Sequence, residues 1–195
     1  MVRPFILIGL FVLSPSVLTT LVAQTPASLE QSQSTPWEEF SFPNGQFVIS
    51  MPAKPKSQSI PLDSKPGSLV ANILALDLEG ESYGVTYVVF PNRVDDPANS
   101  KALFDGVVEK ELVKVNGKLI NQLDLSLSGF SGREVRIEVL GGFWIDRVYL
   151  VGMRVYFVSA FVAKNRPEAK EITDTQNVLI KKYFDSFKLK IPGTN

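Results

Sequence analysis

The sequence predicts an α+β domain: a mainly antiparallel sheet of about six to eight strands, covered by helices on both faces as an α/β/α sandwich. Three observations carry this. Residues 132–164, GREVRIEVLGGFWIDRVYLVGMRVYFVSAFVAK, read as three strands joined by tight glycine-containing turns, Gly141-Gly142 and Gly152-Met153. Both faces of those strands are too apolar to face water throughout, so both need cover. Two segments with helical spacing of apolar residues, each with its own start signal, are available to supply it.

The elements follow in order. WEEFSF and QFVISM flank Pro43-Asn44-Gly45, a turn between short strands. Pro52, Pro55, Pro61 and Pro66 make residues 52–67 a loop or irregular edge. SLVANILALDLE and SYGVTYVVF are strands around Glu79-Gly80-Glu81. Asp95-Asp96-Pro97 gives a capping aspartate followed by proline at the first helical position. In the helix it starts, Leu103, Phe104, Val107, Val108, Leu112 and Val115 recur every three or four residues. Lys101, Asp105, Glu109, Lys110 and Lys114 fall on the other side. Gly106 costs this helix about 1 kcal/mol against alanine. KLINQLDLSL follows as a strand, with Leu119, Asn121, Leu123, Leu125 and Leu127 alternating against polar neighbours at several positions.

After the three strands of 132–164, Thr173 and Gln176 form a capping box. The final helix presents Ile180, Tyr183, Phe184 and Phe187 as one stripe. The predicted order is ββββ-α-ββββ-α.

The turns set which residues share a face. One face of the three strands carries Val135, Ile137, Val139, Trp144, Val148, Leu150, Val155, Phe157 and Phe161 and is core. The other carries Glu134, Arg136, Glu138, Phe143, Ile145, Arg147, Tyr149, Arg154, Tyr156, Val158 and Val162. Asp146 falls on the first face, opposite Ser159, where a buried carboxylate needs a hydrogen bond.

The N-terminus, MVRPFILIGLFVLSPSVLTTLVAQ, has Arg3, then an apolar run from Pro4 to Leu13, and no further charge until Glu30. This is the pattern of an export signal, so residues 1–23 are expected to be a signal peptide or an uncleaved N-terminal anchor that contacts the membrane through residues 4–23. Cutting after Ala23 leaves Leu21 where a small residue is preferred. Either way the body lies across a membrane, in the periplasm or a thylakoid lumen. Residues 24–36, QTPASLEQSQSTP, are a disordered linker, too polar to offset their ordering entropy. Residues 37–191 form one globular domain, roughly 155 residues, enough for a well-buried core.

Composition excludes much chemistry. The 195 residues include no cysteine and no histidine. That removes thiolate catalysis, Ser-His-Asp and Cys-His relays, and the commonest metal ligand. No metal site and no cofactor is expected. Lys plus Arg and Asp plus Glu number 20 each, so there is no electrostatic case for nucleic acid. SGFSGRE lacks the spacing of a serine nucleophile elbow. Asp95-Asp96 reads as a cap, Glu79 and Glu81 as solvated turn flanks, and Lys181-Lys182 as the polar face of the last helix.

The candidate binding group is Glu134, Arg136, Arg147, Tyr149 and Tyr156, which share one face on adjacent strands. Arginine and tyrosine are favoured at interfaces. The competing structural role is cross-strand charge pairing under a helix.

The Trp-x-x-Phe start at Trp37, GQFVISMPAKP with its proline-rich continuation, the SGREVRI…GFWIDRVYLVGMRVYFVSAFV hairpin series and the closing YFDSFKL helix together resemble the PsbP-like family of exported α/β/α domains. The resemblance spans Trp37 to Ile191 and lies in strand order and hydrophobic rhythm. It implies an extrinsic subunit or assembly factor of photosystem II in the thylakoid lumen, or a related envelope protein. Some members bind divalent metal through histidine and aspartate. With no histidine in this chain, that property is not carried over. The functional expectation is a non-enzymatic accessory protein that docks on a membrane-associated complex. The alternative is a small-molecule or lipid carrier with a pocket between sheet and helix, and a carboxylate-only enzyme ranks third.

Overall fold

The computed structural model describes residues 36–62, 69–165 and 170–190. The expected signal or anchor, and the linker up to Thr35, lie outside the described residues. The elements are β1 (Glu38–Phe42), a 3-10 turn (Pro43–Gly45), β2 (Phe47–Met51), β3 (Lys56–Leu62), β4 (Leu69–Leu78), β5 (Glu81–Val89), α1 (Pro97–Val115), β6 (Lys118–Leu127), β7 (Phe130–Val139), β8 (Gly142–Val151), β9 (Arg154–Ala163), α2 (Asp174–Ser186) and β10 (Lys188–Leu189). A seven-stranded sheet runs β3-β4-β5-β9-β8-β7-β6, antiparallel at every pair. A small sheet, β1-β2-β10, stands apart from it.

The large sheet is covered on both faces, as its two-sided apolar strands require. Helix α1 lies on one face, where Phe104 packs with Val148, Leu150, Val155 and Phe157, and Val108 with Val135 and Ile137. On the other, α2 and the small sheet share the cover. There Phe47, Ile49 and Met51 meet Tyr83, Tyr87, Tyr156, Tyr183 and Phe187 in one aromatic core. Phe47 sits edge-on to Tyr87 and Tyr156, and Tyr149 stacks on Phe187 at 5.9 Å. The buried phenols are satisfied: Tyr156 Oη donates to the Gly45 carbonyl at 2.8 Å and Tyr183 Oη to the Gly84 carbonyl at 2.7 Å.

Local signals set the ends of both helices. Asp96 caps α1, accepting from the Ala98 backbone N–H at 3.0 Å, with Pro97 as the first helical residue. The Thr173–Gln176 capping box opens α2.

The structure departs from the sequence-based expectation in four places. Residues 56–62 are not loop: they form β3, an edge strand that tolerates Pro61 because an edge needs hydrogen bonds on only one side. The closing β10 lengthens the predicted order, giving five strands, a helix, four strands, a helix and a strand. The β7–β8 turn is Leu140-Gly141, with Gly141 at φ +82°, rather than Gly141-Gly142. This moves the β7–β8 pairing by two residues, an even number, so every side chain keeps its expected face. Last, a register shift between Leu119 and Asn121 breaks the alternation expected in β6. Leu119 therefore pairs with Ile137 under α1, while Leu123 pairs with Glu134 on the opposite face.

Candidate functional site

The five candidate residues divide. Glu134, Arg136 and Arg147 come together: β7 places Glu134 and Arg136 two residues apart on one face, and the β7–β8 register sets Arg147 directly opposite Glu134. Glu134 is only 3% exposed. Its two oxygens are shared between the arginines, one accepting from Arg136 Nε and the other from Arg147 Nε, each at 2.8 Å. Burial alone would raise this carboxyl, but the hydrogen bonds and charges of Arg136 and Arg147 outweigh it and hold the group below its ordinary range. Arg147 also lies 4.6 Å over the Phe184 ring of α2.

Tyr149 joins this group from beneath, hydrogen-bonded to Arg147, whereas Tyr156 does not, and neither is exposed. They are 4% and 0% exposed. Tyr149 crosses Gly132, where a Cβ would come within 2.5 Å of its ring, and stacks on Phe187. Tyr156 is under the small sheet. Both faces of the strands are expected to need cover; on this one α2 supplies part of it, and the small sheet, which the strand pattern does not predict, supplies the rest over the tyrosines.

Between the arginines and α2 lies a cleft of about 270 Å³, lined by Arg136, Arg147, Asn177, Ile180, Lys181, Phe184 and Asp185. Asp185 pairs with Lys181 and stands 3.9 Å from Arg147. The α2 contribution was missed in the sequence, although Asn177, Lys181 and Asp185 recur at four-residue spacing along one side of the helix. Chemically the cleft holds two arginines, the Lys181–Asp185 pair and Asn177 beside Ile180 and Phe184, and no nucleophile paired with a base.

The other charges of strands β7 to β9 are mostly structural. Arg133 ties α1 to the sheet, donating to Asp105 at 2.7 Å and Asp124 at 2.8 Å and lying over Phe104. Glu138 pairs with Lys164 at 2.6 Å. Asp95 accepts from Arg93 and from the Gly152 backbone N–H, so the Asp95-Asp96 pair serves loop and helix. Lys182 lies over the Trp37 ring.

Asp146 is paired as the register requires, accepting from Ser159 Oγ and from Trp144 Nε1, the latter at 2.6 Å. Burial and the negative charge of Glu111 push its carboxyl up to about 7. Glu111 is itself buried on the inner face of α1; burial raises its carboxyl despite the nearby Lys114 at 3.4 Å. Glu111 is not among the residues singled out from the sequence, yet Phe104, Val108, Glu111 and Val115 share one 4-3-4 spacing, which marks it as inward-facing. With Asp146 3% and Glu111 6% exposed, the pair offers no access to a substrate.

A second concavity, about 510 Å³, lies between the β1–β2 turn and strands β3, β4 and β5. It is lined by Asn44, Ser57, Ser59, Asn72 and Tyr87 among others and carries no charged side chain.

The sandwich of one antiparallel sheet with helices on both faces is a PsbP-like fold. The chain is similar to a solved structure of cyanobacterial PsbP, CyanoP from Synechocystis sp. PCC 6803. The TM-score is 0.53 at 14% identity, over 84% of this chain and 98% of that one. No family model and no curated protein sequence matches the chain. No helix among the described residues is long and apolar enough to cross a membrane.

Proposed function

We propose that this chain is an exported, non-enzymatic accessory protein that docks on a membrane-associated complex through the face holding Arg136 and Arg147. The observation that carries the reading is the buried Glu134, which braces two partly exposed arginines on adjacent strands beside an open cleft. Glu134 takes the Nε of both guanidiniums, and the Arg136 side chain remains 35% exposed beside the cleft. The signal-like N-terminus supports delivery across a membrane, to a periplasm or thylakoid lumen, either released or held by residues 4–23. Residues 37–191 are the functional domain. The PsbP-like fold makes a photosystem the first complex to test.

The test is co-purification from gently solubilised membranes of the source organism, at native abundance and low salt. Recovery with a membrane complex is expected. Recovery solely as a free monomer overturns the reading. The uncharged concavity beside Tyr87 favours a second reading, a small-molecule carrier, because its volume falls in the range of ligand pockets, roughly 300–1,000 Å³. A co-purifying small molecule in a native mass spectrum would establish that alternative.

A further inference from the structure

We infer that the cleft between Arg136, Arg147 and α2 is a carboxylate-binding site, and that its ligand is an acidic side chain on an exposed segment of the docking partner. The inference rests on the docking reading and names the chemistry of the contact.

The argument begins with the donors left over. Each arginine gives its Nε to Glu134. A guanidinium has five N–H donors, so the Nε bond leaves others for further acceptors; Arg147 spends part of them on Tyr149 and has Nη1 3.9 Å from Asp185. The terminal nitrogens of Arg136 carry no hydrogen bond among the described residues, and its side chain is 35% exposed. The Glu134 bonds fix both side chains by their inner nitrogens, so the outer edges are already ordered before a ligand arrives. That lowers the entropy cost of binding.

The local charge balance points the same way. Arg136, Arg147 and Lys181 supply three positive charges against Glu134 and Asp185, which leaves one positive charge in excess. Ile180 and Phe184 contribute apolar lining that shields the pairing from water, and Arg147 is further fixed over Phe184. The cleft, about 270 Å³, is sized for a side chain or two rather than a cofactor. Planar bidentate capture of a carboxylate is what an arginine fork does best. A polypeptide supplies such carboxylates at the end of a short aliphatic stem, which suits a charged rim above an apolar floor.

The experiment measures fluorescence anisotropy of a labelled hexaglutamate peptide against the full chain in a non-ionic detergent, at low salt. Hexaglutamine is the uncharged control and inorganic phosphate the competitor. Saturable binding of hexaglutamate alone is expected. Arg136→Gln should weaken it about tenfold or more, the loss of one charged hydrogen-bonding group. Lys182→Gln, a cation outside the cleft, should leave it within about twofold. If Arg136→Gln does not fold, Lys181→Gln, on the exposed rim, takes its place with a smaller expected loss.

Absence of hexaglutamate binding overturns the inference, as does an equal loss in Lys182→Gln. Displacement by phosphate as effective as by free peptide overturns it in favour of a phosphate site. In membrane co-purification, equal retention of wild type and Arg136→Gln overturns this inference while the docking reading stands. No retention of wild type overturns the docking reading itself.

Discussion

Glu134 and Asp146 belong to adjacent strands of one sheet, on opposite faces, and both are nearly inaccessible to water. Glu134 has two guanidinium partners and is held in its charged form. Asp146 has an indole N–H and a hydroxyl, and burial together with the negative charge of Glu111 pushes it toward its neutral form. Burial acts on both in the same direction. The difference lies in the partners, and it teaches that a carboxylate's place in a sheet says little about its charge until the residues packed against it are known. The face with the braced charge also carries the cleft and the aromatic core. The α1 face seals its acids away.

The largest test of this contrast removes part of the aromatic face. Deleting through Phe42 takes away β1 with Trp37, Phe40 and Phe42, all packed against the main core. Roughly 5 kcal/mol or more of stability should go. Deletion ending at Pro36 should leave the thermal midpoint almost unchanged. Equal loss in the two truncations would show that the preceding segment is structural and that the domain begins earlier.

The pH dependence comes next. The Asp146 carboxyl moves from 3.8 to about 7 on folding, so the native state holds its proton more tightly than the unfolded chain. Its contribution is full below about 3.8 and is lost as pH rises to about 7. Glu111, raised in the same sense, adds to this, and Lys114 is the cation facing both. The span is of order a few kcal/mol. Glu134 acts oppositely: its contribution is present above 4.5 and lost as pH falls through its lower folded-state value. Thermal midpoints should therefore rise on mild acidification and fall only under stronger acid. Asp146→Asn should flatten the rise above 3.8 and leave the acid limb intact. An unchanged slope in that variant would contradict the assignment.

Glu134→Gln should cost about 3 kcal/mol in denaturant melts at neutral pH, because it leaves two guanidiniums facing a neutral amide. A double-mutant cycle with Arg136→Gln should show strong coupling, whereas a cycle pairing Glu134→Gln with Asp146→Asn should show additivity across the sheet. The smallest effect is a gain. Gly106 lies within α1 with open space where a Cβ would go, so Gly106→Ala should stabilise by about 0.5–1 kcal/mol. A loss there would mean that α1 packs differently from the arrangement described.

Much of this was legible in the sequence because the signals were local or periodic. The Asp96 cap and Thr173–Gln176 box each act within a few residues. The faces of β7, β8 and β9 follow from period-two alternation and survive a turn displaced by one position, and the Asp146–Ser159 pairing came with them. What stayed hidden depends on distant partners. Lys56–Leu62 has little hydrophobic alternation and becomes a strand because β4 offers it an edge. Two residues make β10 only because β2 lies beside them. Tyr149 and Tyr156 share the expected face with the charged group, but how fully the small sheet covers that face depends on segments far away in the chain. In the candidate site, the arginine–glutamate grouping was visible as cross-strand proximity, but the α2 wall of the cleft was not.

The small sheet has a consequence for when this protein can finish folding. Its β1–β2 hairpin is closed by β10, by a hydrogen bond from Ser50 N–H to Ser186 Oγ across 136 positions, and by Lys190 N–H to the Gln46 carbonyl. Synthesis releases the hairpin well before β10, so a nascent chain cannot close this layer until Lys188 and Leu189 have emerged. Contacts of such long range come at the end of a slow search. A chain with this topology keeps its aromatic layer open while β10 is withheld, and closes it wherever that strand is set free.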